Sequence, residues 1–231
     1  MTSEPHQQAI RPVGAPPVGT AARAARRDAE PVTPAPPAAL HVVHDTDGVD
    51  LSAAETAARQ FLHALGVRTD NESMRGTPGR MARAYAELFS PRAFDLTTFP
   101  NDEGYDELVL ARSIPVRSVC EHHLLPFVGT AHVGYLPGRR ILGLSKLARV
   151  VEHFACRPQV QERLTKQIAD WLQAQLDPQG VGVVIVAEHT CMTLRGVLAT
   201  GSTTVTSSLL GLLRHDPRSR GEFLALTGVT A

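Results

Sequence analysis

Cys120, His122 and His123 crowd into one short stretch, SVCEHHLLPF, and His189 with Cys191 occupy another, AEHTCMTLRG. Thiolate and imidazole are the donors zinc prefers. Each residue alone has an ordinary reading, since a buried cysteine packs as a small hydrophobe and a histidine often makes a local hydrogen bond. Two separate clusters that each pair cysteine with histidine point instead to one metal centre. Cys120, His123 and Cys191 would give zinc three protein ligands. A structural zinc normally has four, whereas a catalytic one keeps a position open for water. His122 and His189 would then stand free beside the metal for proton transfer, with pKa values near the useful range. Cys156, in HFACRPQ, has no such companion and reads as a bystander. Zinc-dependent nucleoside deaminases carry H-x-E with P-C-x-x-C, and no C-x-x-C occurs here.

Basic residues add a second requirement. Ser145, Lys146 and Arg149 fall at the start of a helical pattern, where free N–H groups and the helix dipole favour anions. Arg195 follows Cys191 by one helical turn's worth of sequence. Each could equally be a solvated surface charge, as could Glu162 in PQVQERL. From residue types and spacing alone, the reading is a zinc site with acid–base histidines and an anionic substrate.

These residues need elements to hold them. LSAAETAARQFLHAL places Ala54, Ala57, Ala58, Phe61, Leu62 and Leu65 on one helical face, and TPGRMARAYAELF follows with a stripe of Met81, Tyr85, Leu88 and Phe89. Thr77 is the expected N-cap of that second helix, with Pro78 at its first position. ELVLARSIPVRSVC and FVGTAHVGYLP read as strands, so CEHHLLP becomes the connection of an antiparallel pair. LSKLARVVEHFA and PQVQERLTKQIADWLQAQL read as helices separated at Pro158, the second with Val160, Leu164, Ile168, Trp171 and Leu172 on its apolar face. GVGVVIVAEHTCM is a nearly continuous apolar strand that ends in the second polar cluster. GVLATGSTTVTSSLLGLL supplies a further strand and RGEFLAL a short terminal helix. Strands and helices without regular βαβ alternation give an α+β class.

Composition narrows the setting. The 231 residues carry 23 basic and 23 acidic side chains, and this balance argues against a general nucleic-acid binder. No apolar run approaches the length of a membrane span, and the first residues lack the layout of a secretory signal. An odd number of widely spaced cysteines makes no disulfide framework and suits a reducing cytoplasm. Residues 1–45 are rich in Pro, Ala and Gly without apolar period and read as a disordered tail, leaving 46–231 as one domain.

Taken together, SVCEHHLLPFVGTAHVGYLP, GLSKLARVVEHFACRPQVQERLT and AEHTCMTLRG closely resemble GTP cyclohydrolase I. The likeness extends through TPGRMARAYAELF and STTVTSSLLGLLRHDPRSRGEFL, roughly residues 50–228. It implies a T-fold, an antiparallel β-sheet backed by helices over about 105–231, preceded by an N-terminal helical region at about 51–90. It further implies a toroidal homodecamer with active sites at subunit interfaces. The implied reaction converts GTP and water to 7,8-dihydroneopterin triphosphate and formate, the first step toward folates and pterins, with Zn2+ as cofactor. By resemblance, Cys120, His123 and Cys191 are the zinc ligands, while His122 and His189 protonate ring nitrogens and manage later proton transfers. Ser145 would lie near the ribose. Glu162 would bind the guanine N1–H and amino group, with Gln161 beside it in the base pocket. Lys146, Arg149 and Arg195 would contact the triphosphate, and Arg83 would reach it from a neighbouring subunit. Two alternatives belong to other classes: a T-fold paralogue of deazapurine metabolism, and a non-catalytic zinc-stabilised pterin-binding protein. The former, as a nitrile reductase, would need a cysteine nucleophile; the latter would not need His122, His189 and the basic set together.

Overall fold

The computed structural model describes residues 40–42 and 48–229. Strand β1 (Leu40–Val42) pairs antiparallel with β2 (Phe94–Leu96), so these residues are extended where a disordered tail is expected. The rest of that expectation lies outside the described residues. Helix α1 (Leu51–Ala64) begins at Asp50, whose carboxylate accepts from the Ala53 N–H at 2.8 Å and satisfies one free donor of the first turn. Helix α2 (Thr77–Leu88) is capped at Gly76 with no side-chain hydrogen bond, so Thr77 is its first residue rather than its cap. The Thr77 hydroxyl instead accepts from Arg80 Nη2 at 2.8 Å, which turns it away from the helix end. The two helices pack through Ala58 and Ala82, but Phe61 is 55% and Leu65 63% exposed. Their apolar stripes are therefore only partly covered within the chain.

The main sheet has the order β7-β4-β5-β8-β9. It comprises β4 (Val109–Cys120), β5 (Pro126–Leu136), β7 (Pro158–Gln159), β8 (Gly180–His189) and β9 (Thr204–Gly211). All pairings are antiparallel except that of β4 with β7. A small ladder of β3 (Thr98–Pro100) with β6 (Arg140–Leu142) stands apart. Helices α3 (Leu144–Ala155) and α4 (Gln161–Leu176) cover one face. There Leu147, Val150, Val151, Leu164, Ile168 and Leu172 meet Phe127, Ala131, Val133, Tyr135, Val183 and Ile185, all essentially buried. The near-continuous apolar run of β8 is explained by the opposite face, where Val184 packs with Leu209, Leu213 and Phe223. These come from β9, α6 (Leu212–His215) and α7 (Pro217–Thr227). Gly182 is needed there: a Cβ on it would lie 2.6 Å from the Phe223 ring.

Two boundaries depart from the periodicity. Helix α4 starts at Gln161, so Val160 is its N-cap and not part of its apolar face. The preceding Pro158 and Gln159 form β7, a two-residue parallel pairing with Val119 and Cys120 too short to leave a pattern. Residues 197–203, expected at the front of the last strand, are turn and coil, and β9 begins at Thr204. The α+β architecture and the antiparallel sheet with helices packed on it are as expected.

Candidate metal centre and active site

Register brings the two polar clusters together. Phe127 of β5 faces His189 of β8, and Val119 of β4 faces Pro126 of β5, so the β4–β5 turn and the end of β8 share one edge of the sheet. Cys120 closes β4, with its N–H donating to Leu125 O at 2.9 Å while its own carbonyl accepts from Leu124 N at 2.8 Å. That compact turn requires Leu124 at φ 51°, an uncommon left-handed conformation for a non-glycine residue. It is tied from outside: the Tyr85 hydroxyl of α2 donates to Leu124 O at 3.0 Å, and Glu121 N–H donates to Gln159 O at 3.0 Å. The Glu121 carboxylate also pairs with Arg163, which holds its carboxyl below the usual carboxylate range. Arg163 in turn donates through Nε to Gln159 Oε1 at 3.0 Å.

Beyond β8 the chain turns into α5 (Thr190–Thr193), fastened by Thr190 Oγ1 donating to Pro126 O at 2.5 Å. This places Cys191 beside the first turn. One ligand atom each from Cys120, His123 and Cys191 lies within 4.8 Å of the others, with both thiols buried and His123 exposed. Cys120 Sγ is 4.0 Å from His123 Nδ1 and 3.9 Å from His122 Nδ1. Burial, then the hydrogen bond and charge of Cys120, push the Cys191 thiol up, while the Arg195 charge pulls it down. The buried Cys191 thiol therefore resists ionising without a cation beside it. The set fits zinc: two sulfurs and one imidazole within 4.8 Å of one another would hold the ion through donors it prefers.

His189 is held more tightly than any other histidine near the cluster. Its ring stacks on Phe127 at 4.4 Å with an interplanar angle of 11°, and its Nε2 lies 2.8 Å from Gln161 Oε1. Gln161 is 1% exposed. Its Nε2 donates to Ile185 O at 3.0 Å, Thr204 O at 2.9 Å and Thr206 Oγ1 at 3.1 Å. Two of these acceptors are backbone carbonyls, so the amide cannot be flipped, and Oε1 must be the acceptor for His189 Nε2–H. Burial lowers the His189 pKa, partly offset by the charge of Glu162. His122, by contrast, is exposed, with Nε2 4.0 Å from Glu121 Oε1. Glu162 sits in the first turn of α4, where the helix dipole favours an anion. It lines a cavity of about 450 Å³ with Lys166, Ser207, Ser208, Arg214 and Arg220.

The expected site residues do not all meet within one chain. Cys120, His122, His123, Gln161, His189 and Cys191 are joined by the contacts above; Glu162 and Arg195 are close enough for their charges to bear on His189 and Cys191. Ser145 and Lys146 are elsewhere. Leu142 N–H, just before α3, donates to the Tyr135 hydroxyl at 2.9 Å, and Tyr135 is eight residues along β5 from Phe127. The other end of α3 is the one near the metal turn, since Ser118 Oγ donates to Ala155 O at 2.7 Å. At 1.5 Å per residue, Ser145 is about 15 Å along the helix from that end. Arg83 is exposed on α2. Tyr85, Phe127, Gln159 and Arg163, which support the site, carry no signal of spacing or type in the sequence. Only the repeated glutamines of PQVQER hint at a polar network.

The family model for GTP cyclohydrolase I matches residues 54–228. The chain belongs to the GTP cyclohydrolase I family. A GTP cyclohydrolase 1 from Aquifex aeolicus is 50% identical over 178 residues, covering 77% of this chain and 97% of that one. Those from Mycobacteroides abscessus and Mycobacterium tuberculosis are each 52% identical, over 79% and 77% of this chain and 93% and 90% of their own. Among solved structures, the apo form of the archaeosine synthase QueF-Like covers 45% of this chain at 18% identity and a TM-score of 0.38. The family has the T-fold, and the helix-backed antiparallel sheet is its expression here. No described helix is long and apolar enough to cross a membrane.

Proposed function

We propose that this chain hydrolyses and rearranges GTP to 7,8-dihydroneopterin triphosphate and formate, with zinc held by Cys120, His123 and Cys191. The observation that carries the reading is the convergence of these three donors with His122 and His189 at one sheet edge, in a member of this family. When bound, zinc supplies Lewis acidity and activates water toward C8 of the purine. His189 and His122 hold and deliver protons at the ring nitrogens as the imidazole ring opens and formate leaves. Gln161 acts through His189, fixing its ring and leaving Nδ1 as the nitrogen free to exchange a proton. Glu162 accepts from the guanine N1–H and amino group, a pairing adenine cannot offer. Lys146, Arg149, Arg195 and Arg83 bind the triphosphate, and Ser145 acts near the ribose.

The ribose is bonded to N9, next to C8, so a group acting on it must be close to the metal. Ser145 is too far from the metal of its own chain, which makes the site composite: one copy supplies the metal edge and another the start of α3. The exposed Leu194 (73%) and Val197 (74%) just after Cys191 favour a second copy beside the metal turn, and the lateral edge of β9, unpaired among the described residues, offers a further ladder to one. A closed ring, the decamer of the resemblance, satisfies every such edge. Three free thiols suit a cytoplasmic setting.

Co-expression tests this arrangement. Chains carrying Lys146→Ala and chains carrying Cys191→Ser, separately tagged and purified through both tags, are each inactive alone but active as mixed oligomers, because some sites receive two intact halves. Mixed oligomers as inactive as either parent would contradict the composite site.

A further inference from the structure

Arg92 lies in the connection between α2 and β2 and reaches across to α3. Its Nε and Nη2 donate to Oε1 and Oε2 of Glu152 at 2.6 and 2.8 Å, a bidentate pairing that occupies both carboxylate oxygens. The same Oε2 accepts a longer bond, 3.3 Å, from Arg149 Nη1 one turn earlier on the helix. Glu152 is thus shared unequally between two arginines. Its carboxyl is held below the usual range first by Arg92, with Arg149 a lesser cause.

An acidic side chain next to Arg149 is out of place in a site for a polyanion. It repels the ligand and competes for the guanidinium that should bind it. Arg92 eases both conflicts, because it offsets the Glu152 charge and takes the two shorter bonds, leaving Arg149 only the 3.3 Å one. We propose that Arg92 is a positioning residue for the triphosphate, drawing the Glu152 carboxylate onto itself so that Arg149 keeps only the long 3.3 Å bond to it and stays available to substrate. This rests on the reading of Arg149 as a triphosphate contact. The Arg92 side chain is 70% exposed, so replacing it leaves the core untouched.

The test is a set of four variants assayed for GTP turnover and zinc content: Arg92→Ala, Glu152→Gln, the double variant, and Arg149→Ala. With Arg92→Ala, KM for GTP is expected to rise about 3- to 10-fold at low salt, with kcat and zinc unchanged, because a partly exposed charge interaction is being removed. The rise shrinks in high salt. Adding Glu152→Gln to Arg92→Ala returns KM to near the wild-type value, a rescue that a purely structural role for Arg92 would not give. An unchanged KM in Arg92→Ala, or a rise that Glu152→Gln does not reverse, overturns the proposal. Arg149→Ala separates the levels. If it raises KM while Arg92→Ala does not, only the role of Arg92 is wrong; if it leaves KM unchanged, the reading of Arg149 fails and this inference with it.

Discussion

Gln161→Leu should damage stability and catalysis together while sparing the metal. The substitution keeps most of the side-chain volume but removes an amide that makes four contacts: to Ile185 O, Thr204 O, Thr206 Oγ1 and His189 Nε2. Thr206 Oγ1 keeps a partner, since it lies 2.6 Å from Thr165 Oγ1. The two carbonyls belong to sheet residues paired by β8 and β9, so each loses only an additional bond. His189 Nε2–H is the group left stranded, half-buried against Phe127. One buried unsatisfied donor costs about 1–3 kcal/mol and each lost neutral bond about 0.5–1.5 kcal/mol, so a total of roughly 2–4 kcal/mol is expected. In urea this appears as a lower midpoint with an unchanged slope. Catalytically, the His189 ring is no longer held in one orientation, and single-turnover rates should fall by on the order of 10- to 100-fold. Zinc content stays near wild type, since none of the lost bonds reaches Cys120, His123 or Cys191. A Gln161→Leu protein with normal single-turnover rate would refute the positioning role; one that loses zinc in proportion to rate would place Gln161 in a different part of the site.

Other outcomes follow from the same geometry. Glu162→Gln should weaken GTP binding by about 10- to 100-fold and relax selection for guanine over adenine with zinc intact, because an amide oxygen can accept from only one of the two guanine donors strongly; unchanged equilibrium binding would count against it. Gly182→Ala must push the fully buried Phe223 ring outward and should cost about 1–3 kcal/mol, read as a lowered denaturation midpoint, with a neutral result contradicting the tight docking of α7. His132 is buried with its Nδ1 unpartnered among the described residues, and burial, then the Arg112 charge, depress its pKa. Below its ordinary value of about 6.5 the unfolded chain takes up a proton the folded one refuses, so stability is lost as pH falls from 7 toward 5. His132→Phe should flatten that slope, leaving the part due to His189, and parallel curves for the two proteins would rule the effect out.

The cluster of Cys120, His123 and Cys191 was the most legible part of the candidate site, for a physical reason. Cysteine and histidine have few roles that demand both at two strand ends, and the strands around Cys120 and Cys191 announce themselves by β-branched runs. The supporting shell was not legible. By resemblance Gln161 is a base-pocket residue, and only the register of β8 with β9 shows that its amide meets His189 and two sheet carbonyls. Thr77 illustrates a local rule losing to a local competitor, since Arg80 takes the hydroxyl that would have capped α2. Ser145 and Lys146 illustrate a limit of another kind. Their motif reads as part of the site, and within one chain it lies at the far end of α3 from the metal turn, a separation that residue types and spacing do not report.

The most direct test of zinc-dependent turnover at Cys120, His123 and Cys191 is formate release from GTP, measured against zinc content in the wild type, Cys191→Ser and Cys156→Ser. The wild type and Cys156→Ser should hold one zinc per chain and release formate with the appearance of a pterin that fluoresces after oxidation. Cys191→Ser should lose both the metal and the formate, and stripping zinc from the wild type with a chelator should do the same reversibly. Formate release that persists in zinc-free protein, or a fully zinc-loaded wild type that releases none from GTP, would contradict the account.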